Sequence, residues 1–388
     1  MEAYRFGIIG GGLVGLTTAL ALSQLSLPIA VIEAFALPSA RKDKASMGTI
    51  ALSYASIAFY KKLGIWDALE SHAIPIQSVH VTVQSALGST RLQDQTVGAP
   101  YLGYVVGIDD LKHILYTALT KKTHCDIYPN VRLDNISYTN NLWHIQCKNS
   151  SLDLSTQLLI SAEGTQSCVR DKLRMTEART NYAHKALISN VKLSDNLQGV
   201  AIERFLKKGA MALLPWHDNL AVMILSGSEY DIDELKKLSA PELLAYCQTQ
   251  LGYQNGIIQE MGQHICVPLH MQLAEQHFYK QLVFLGNCVH SIHPIAAQGF
   301  NLSIRDIQRL QTSICSSDST CWGSSLDDIA KYVEATQQDQ KNIILATDTI
   351  AKAVHAIPAP FKAFGINIFE HIPFIKKQMA MYSMGLGV

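Results

Sequence analysis

Tyr4-Arg-Phe-Gly-Ile-Ile-Gly10-Gly-Gly12-Leu-Val-Gly15, followed by an apolar run to Leu25 and, after Pro28, by Ile29-Ala-Val-Ile-Glu33, is the stretch on which the fold turns. Tyr4 to Ile9 reads as a buried strand, Leu13 to Leu25 as a helix, and Ile29 to Glu33 as a second strand after the break at Pro28. Between the first strand and the helix, Gly10, Gly12 and Gly15 make the GxGxxG pattern. Its glycines allow a tight turn, close approach of a pyrophosphate, and packing of the helix on the strand. Glu33 closes the second strand at about the 20-residue spacing of a ribose-binding acid. A carboxylate there favours a ribose hydroxyl over a phosphate, which suits FAD or NAD rather than NADP. A lone GxGxxG is a weak signal. This one follows a strand, opens a helix and is completed by an acid.

A second strand-loop-helix lies at residues 282–309. Leu282 to Leu285 is a short apolar run, ended by Gly286-Asn287. A loop from Pro294 to Gly299 follows, and a helical pattern begins near Asn301. Asn301 suits an N-cap, and Gly299 lets the backbone approach a ligand. Free N–H groups and the positive end of the helix dipole stabilise negative ligand charge at such a start.

The chain of 388 residues is long enough for about two or three domains. It is 48% hydrophobic, and its 32 basic residues balance 32 acidic ones, so charge gives no argument for a nucleic-acid partner. Eight cysteines show no CxxC or metal spacing, and the expectation is buried free thiols in a reducing cytosol. The fourteen histidines form no zinc pattern, so no metal site is expected. Glycines interrupt the first apolar run, which argues against a signal peptide or membrane span.

Ser53 suits the cap of a helix running to Leu63, and Asp109 that of a helix to Thr120. Gln77 to Leu92 alternates like a hairpin. Strand-like runs recur at 131–138, 142–147, 152–160, 183–193, 199–205, 210–215 and 220–226. Two short helices fall within 231–251, the second starting at Pro241. Leu326 to His355 is a long helical pattern. Beyond Pro358 and Pro360, an apolar stripe of Phe361, Phe364, Ile368, Ile372, Ile375 and Met379 is interrupted by Pro373 and accompanied by Lys362, Lys376 and Lys377.

The motif Gly286-Asn287, His293-Pro294, Gln298-Gly299-Phe300-Asn301, Arg305-Asp306 resembles the second flavin-contact motif of the para-hydroxybenzoate-hydroxylase-like FAD monooxygenases, above all the ubiquinone-biosynthesis hydroxylases. Ala51-Leu-Ser53, Leu63-Gly-x-Trp66, Ala162-Glu163-Gly164 with Ser167 and Arg170, Glu203-Arg-Phe205 with Ala212-Leu-Leu-Pro215, and Tyr382 to Leu386 resemble further segments of that family in its order. The likeness covers nearly the whole chain and is nearest to the 2-polyprenyl-6-methoxyphenol hydroxylase branch. The departures are Gly48 where relatives carry Arg, Glu163 for Asp, and Ala297 and Ser303 for Gly. Arg41 is the candidate to replace the missing arginine.

The resemblance implies an α/β fold: a Rossmann-like FAD-binding domain with an antiparallel-sheet substrate domain and C-terminal helices. It places the discontinuous FAD-binding domain, with the C-terminal helical region, at 1–75, 100–180 and 275–388, and the substrate domain at 76–99 and 181–274. It implies an FAD-dependent monooxygenase that uses NAD(P)H and O2 to hydroxylate a prenylated phenol. The flavin carries the chemistry, so no catalytic side chain is assigned apart from His293, which either faces substrate or packs. The cofactor-binding candidates are Gly10, Gly12, Gly15, Glu33, Arg41, Glu163, Asn287, Pro294, Gly299, Phe300 and Asn301. For Arg204 a surface ion pair is expected. Membership of a ubiquinone-biosynthesis complex, and a peripheral contact with the inner face of the membrane by an otherwise cytoplasmic protein, complete the expectation. Two other readings stay open: a flavin oxidoreductase that does not hydroxylate, and a weakly flavin-binding, non-catalytic subunit of a biosynthetic complex.

Overall fold

The opening strand is an inner strand of the first sheet. The computed structural model of the chain describes residues 2–37, 48–84, 89–96, 98–148, 150, 152–175, 178–274, 276–291, 298–316, 326–356 and 372–386. Glu2–Ile9 pairs in parallel with Ile29–Ile32 on one side and with Asp153–Ser161 on the other. Cys125–Tyr128 and Leu282–Phe284 extend the parallel array at its two ends. Strands covered on both faces read as continuous apolar runs, and Phe6 to Ile9 do so because each face meets its own layer. Phe6 and Ile8 pack with Leu16, Leu20, Leu111, Leu115, Ile307 and Leu310 of the helices Leu13–Ser23, Ile108–Leu119 and Gln298–Ser316. Ile9 turns to the other layer, with Trp143 and Ile145 of the antiparallel strand Leu142–Lys148.

A second sheet runs in the order His290–Ser291, Ile258–Leu273, Ala178–Leu193, Leu220–Ser228, Gly209–Pro215, Val200–Leu206, Ser78–Val83, Ser89–Gln93. It is antiparallel except where Val200–Leu206 pairs in parallel with Ser78–Val83. One of its faces is covered by the helices Glu229–Leu235 and Ala240–Leu251, which bury Ile202, Met211, Leu213, Met223 and Leu225. Ser239 and Glu242 form a capping box on the second of these, with Pro241 in its first turn. Part of the opposite face, Val79, Ala201 and Leu214, packs on Ala51, Tyr54, Val105, Ala380 and Met384. A small sheet, Thr49–Ser53, Gly103–Gly107 and Ile74–Ile76, carries Ala51 and Val105 to that contact.

Some local expectations change. Asp109 is not the cap of its helix: Gly107 takes that place, and Asp109 and Asp110 lie in the first turn, where carboxylates favour the positive helix end. Pro373 opens the helix Pro373–Ser383 rather than breaking one, since proline has no N–H to lose in a first turn. Among the described residues Arg204 makes no ion pair, against the expectation of a surface one. It is half-buried, and its guanidinium donates to Gln250 O (2.8 Å) and Thr82 Oγ1 (3.2 Å). Cys125, Cys147, Cys247 and Cys288 are buried free thiols as expected, but Cys315 is exposed.

Candidate cofactor site

Three loops meet at one end of the parallel sheet. The first is the glycine turn. Gly10 sits at φ +104°, in the left-handed region, and a Cβ on it would lie 2.5 Å from Ala162 O at the end of the neighbouring strand. Glu33 closes the turn from below: its carboxylate accepts from Gly11 N (2.5 Å) and Phe35 N (2.9 Å) and is buried. Above Gly12 the situation is opposite. No atom of the described residues lies within 4 Å of where its Cβ would be. Gly12 is also the N-cap of the helix Leu13–Ser23, and no side chain caps that helix. An open cradle at an uncapped helix start, next to a carboxylate, has the shape and donor set for a dinucleotide's pyrophosphate and ribose.

The second loop is the turn Gly286–Cys288. Gly286 (φ +68°) packs so close to the first helix that a Cβ would lie 2.9 Å from Val14 Cγ2. The turn is pinned from behind. Arg170, buried over the Phe284 ring, donates to Cys288 O at 2.7 Å, and Glu163 N donates to Cys288 Sγ at 3.1 Å. Burial pushes the Cys288 thiol up to about 11, so it stays neutral. With its neighbours so held, Asn287 is left exposed.

The third loop is the start of the helix Gln298–Ser316. The helix begins three residues before the expected cap, so Asn301 lies inside its first turns. Its amide is spent on the protein: Oδ1 accepts from Ser53 N (2.8 Å) and Ser56 Oγ (2.8 Å), and Nδ2 donates to Ala51 O (2.9 Å). Asn301 thus stitches this helix to the segment that carries the Ala51-Leu-Ser53 motif. Gly299 and Phe300, half-buried, occupy the first turn itself. The carboxyl-terminal residues close the same corner, with Ala55 N donating to Met384 O (3.0 Å) and Gln298 Nε2 to Ser383 O (3.2 Å).

Glu163 is placed differently from its expected role. Its carboxylate accepts from Ser161 Oγ (2.9 Å), Ser167 Oγ (2.8 Å), Cys168 N (3.2 Å) and Val169 N (3.1 Å). The extra methylene relative to Asp lets it reach back over the start of the helix Cys168–Lys172, where it is an anchor beneath the site. Gly48 is half-buried, and a Cβ there would make ordinary contact with Ile108 at 3.4 Å. Arg41, His293 and Pro294 lie outside the described residues.

Sequence reasoning missed the residues that hold the loops. Cys288 read as a bland thiol. Arg170 was visible only as a motif match, yet it fixes the turn that carries Asn287. A buried network behind the site was also missed: Asp306 Oδ2 accepts from His290 Nε2 (2.8 Å) and Gln340 Nε2 (2.8 Å), while Arg305 and Arg309 pair with Asp339 at 2.9 and 2.5 Å. Among the described residues no group of His, Cys, Asp and Glu could hold a metal ion.

The family described as FAD binding domain matches residues 4–318. The ubiquinone biosynthesis monooxygenase COQ6 of Caenorhabditis elegans is 24% identical over 434 residues, covering 98% of this chain and 95% of the relative. The 3-demethoxyubiquinol 3-hydroxylase of Escherichia coli is 24% identical over 389 residues, covering 98% of each. Among solved structures, p-nitrophenol 4-monooxygenase PnpA from Pseudomonas putida superposes with a TM-score of 0.82 at 15% identity, covering 100% of this chain and 99% of the other. PqsL from Pseudomonas aeruginosa, a probable FAD-dependent monooxygenase, gives 0.79 at 16% identity, covering 94% and 100%.

Proposed function

The chain belongs to the FAD binding domain family, and on that premise we propose that it is an FAD-dependent monooxygenase that hydroxylates a polyprenylated phenol of ubiquinone biosynthesis with NAD(P)H and dioxygen. The observation that carries this reading is the full-length likeness to ubiquinone hydroxylases from bacteria and animals. Bound FAD would supply the redox chemistry that couples NAD(P)H and O2 to hydroxylation. The protein's share is to hold, orient and exclude water. In the proposal, Gly10, Gly12 and Gly15 admit the pyrophosphate, Glu33 takes the adenosine ribose, and Asn287 reaches the ribityl chain. The first turn at Gly299 and Phe300 offers N–H groups to the flavin's anionic edge. Asn301 and Glu163 contribute as anchors of those loops, and Arg41 and Pro294 remain candidates. The segments 1–75, 100–180 and 275–388 form the FAD-binding unit in this reading, and 76–99 with 181–274 form the substrate unit.

The test is product analysis. Purified protein given NADH or NADPH, isotopically labelled dioxygen and a prenylated phenol should release a phenol one labelled oxygen heavier. Reductant consumption with peroxide as the only oxygen product would replace hydroxylation by a plain flavin oxidase or reductase activity.

A lipid-tailed substrate must be met at a surface. No described helix is long and apolar enough to cross a membrane. The proposal includes peripheral contact with the inner face of the membrane, in company with other enzymes of the pathway, through the helix Pro373–Ser383. The expected apolar stripe falls partly outside the described residues, at Phe361, Phe364 and Ile368. On the described part Phe374 is 72% exposed, and Ile372 and Met379 lie outward beside the exposed Lys377, with no acidic residue from 372 to 388. An apolar face edged by lysine suits an anionic lipid surface. Phe374→Asp is expected to leave melting unchanged and to lower partition onto phosphatidylglycerol vesicles by about tenfold or more, the equilibrium value of an unburied aromatic ring. Unaltered vesicle binding would remove this helix as the contact.

A further inference from the structure

On the face of the large sheet opposite the helices Glu229–Leu235 and Ala240–Leu251, one row is only partly buried among the described residues. Across it, in register, stand Val81, Glu203, Ala212, Ile224, Ile188 and Ile265, on strands that pair directly with one another. The row next to it on the same face, Val79, Ala201 and Leu214, is seated on the small sheet and the C-terminal helix. The opposite face is closed by helices. The row itself is seated on neither, though the helix Leu326–Ala356 approaches its central strand Gly209–Pro215. Val81, Glu203, Ala212, Ile224 and Ile188 are each partly exposed, and Ile265 is 42% exposed. Glu203 is therefore the one ionisable group in an otherwise aliphatic, partly open floor on the face that the sheet turns towards the cofactor-binding half. Among the described residues, no hydrogen bond or ion pair reaches its carboxylate.

Among the described residues this carboxylate caps no helix, joins no network and neutralises no cation, in contrast to Glu33, Glu163, Asp306 and Asp339. We propose that Glu203 is the acceptor for the substrate's ring hydroxyl, a role that rests on the phenol-hydroxylase reading above. The aliphatic row holds the ring, and the small Ala212 beside Glu203 leaves room for it. In the proton step the phenolic O–H bond breaks, its electron pair stays on the ring oxygen, and the proton bonds to a Glu203 oxygen. The pair carries one negative charge before and after, and no oxidant is needed. Burial pushes the Glu203 carboxyl up to about 7. It is thus ionised in part at neutral pH and far better matched to a phenol than an ordinary carboxylate would be.

The probes are ortho-prenylphenol with a single isoprene unit and its O-methyl ether, titrated into the FAD-loaded protein by calorimetry at about pH 6 and about pH 8, on either side of the carboxyl's value. The phenol should bind about tenfold more tightly at the higher pH, following the ionised fraction of Glu203, whereas the ether should not. Glu203→Gln keeps the shape and removes the charge. It should lose about tenfold in phenol affinity at the higher pH, lose the pH dependence, and bind the ether as before, with flavin content and melting unchanged. Equal phenol affinity at both pH values in the unaltered protein, or pH dependence that survives in Glu203→Gln, would overturn the assignment. If the flavin-loaded protein binds neither probe at either pH, the phenol reading itself falls, and the assignment with it.

Discussion

Gly15→Ala is expected to yield protein that emerges from a desalting column with less than about a tenth of the normal FAD. The Cβ would lie 1.8 Å from Gly10 O and 3.0 Å from Gly10 C, and 3.5 Å from Ile8 Cγ2. The first two are backbone atoms of the turn itself, so no flexible side chain can give way. Either the helix Leu13–Ser23 lifts off the strand or the turn opens. Both outcomes re-aim the N–H groups at the helix start and pull Gly11 N away from Glu33. Overpacking of this kind costs about 1–3 kcal/mol in the fold. Losing even one charge-assisted hydrogen bond to the ligand weakens it by about tenfold or more. Gly12→Ala is the comparison. Its Cβ meets no atom of the described residues, so the flavin-free protein should melt as before, while flavin affinity falls because the methyl enters the ligand's space. Wild-type flavin retention in Gly15→Ala would mean that the cradle has been placed wrongly.

What was legible in the sequence was local, and what was not was long-range. The glycine turn could be read because each of its requirements falls within one contiguous segment, from Ile9 to Glu33. Most strands of the large sheet could be read because alternation is a property of neighbours, but the long strand Ile258–Leu273 was not among them. Asn301 shows where this stops. Asparagine before an amphipathic run is a good cap signal, yet its amide serves Ala51, Ser53 and Ser56, about 250 residues away in the chain. Its role depends on a tertiary approach that no window contains. Glu163 shows a finer limit. The kept charge left open a turn acid or a cofactor contact, and its carboxylate reaches back onto the N–H groups of residues 168 and 169. Glu203 was quoted only as part of a likeness. Its isolation on the sheet face follows from the register of six strands and from which face the helices cover.

Asp306→Ala is expected to cost about 3–5 kcal/mol of stability, the scale for breaking a buried charged network by removing one partner. Asp306 is 1% exposed, and its Oδ2 receives both the His290 ring nitrogen and the Gln340 amide at 2.8 Å. Arg309 stands 3.8 Å from Oδ1. Removing the carboxylate leaves the imidazole and the amide buried without this acceptor, where water cannot replace it, and leaves Arg309 to Asp339 alone. Asp306 also ties three elements: the strand His290–Ser291, the helix Gln298–Ser316 and the helix Leu326–Ala356. The first two flank the loop of the candidate flavin site, so flavin retention should fall along with the denaturant midpoint. Asp306→Asn retains one carbonyl oxygen of the same reach. It should lose less, since that oxygen, set where Oδ2 stands, can still accept from both donors, while the charge facing Arg309 is lost. A domain is stable by only about 5–15 kcal/mol, so the alanine variant should show a clearly lowered midpoint in urea. A loss below about 1 kcal/mol would mean that the cluster relaxes or hydrates at little cost, and that the helix Leu326–Ala356 is not held to the site through Asp306.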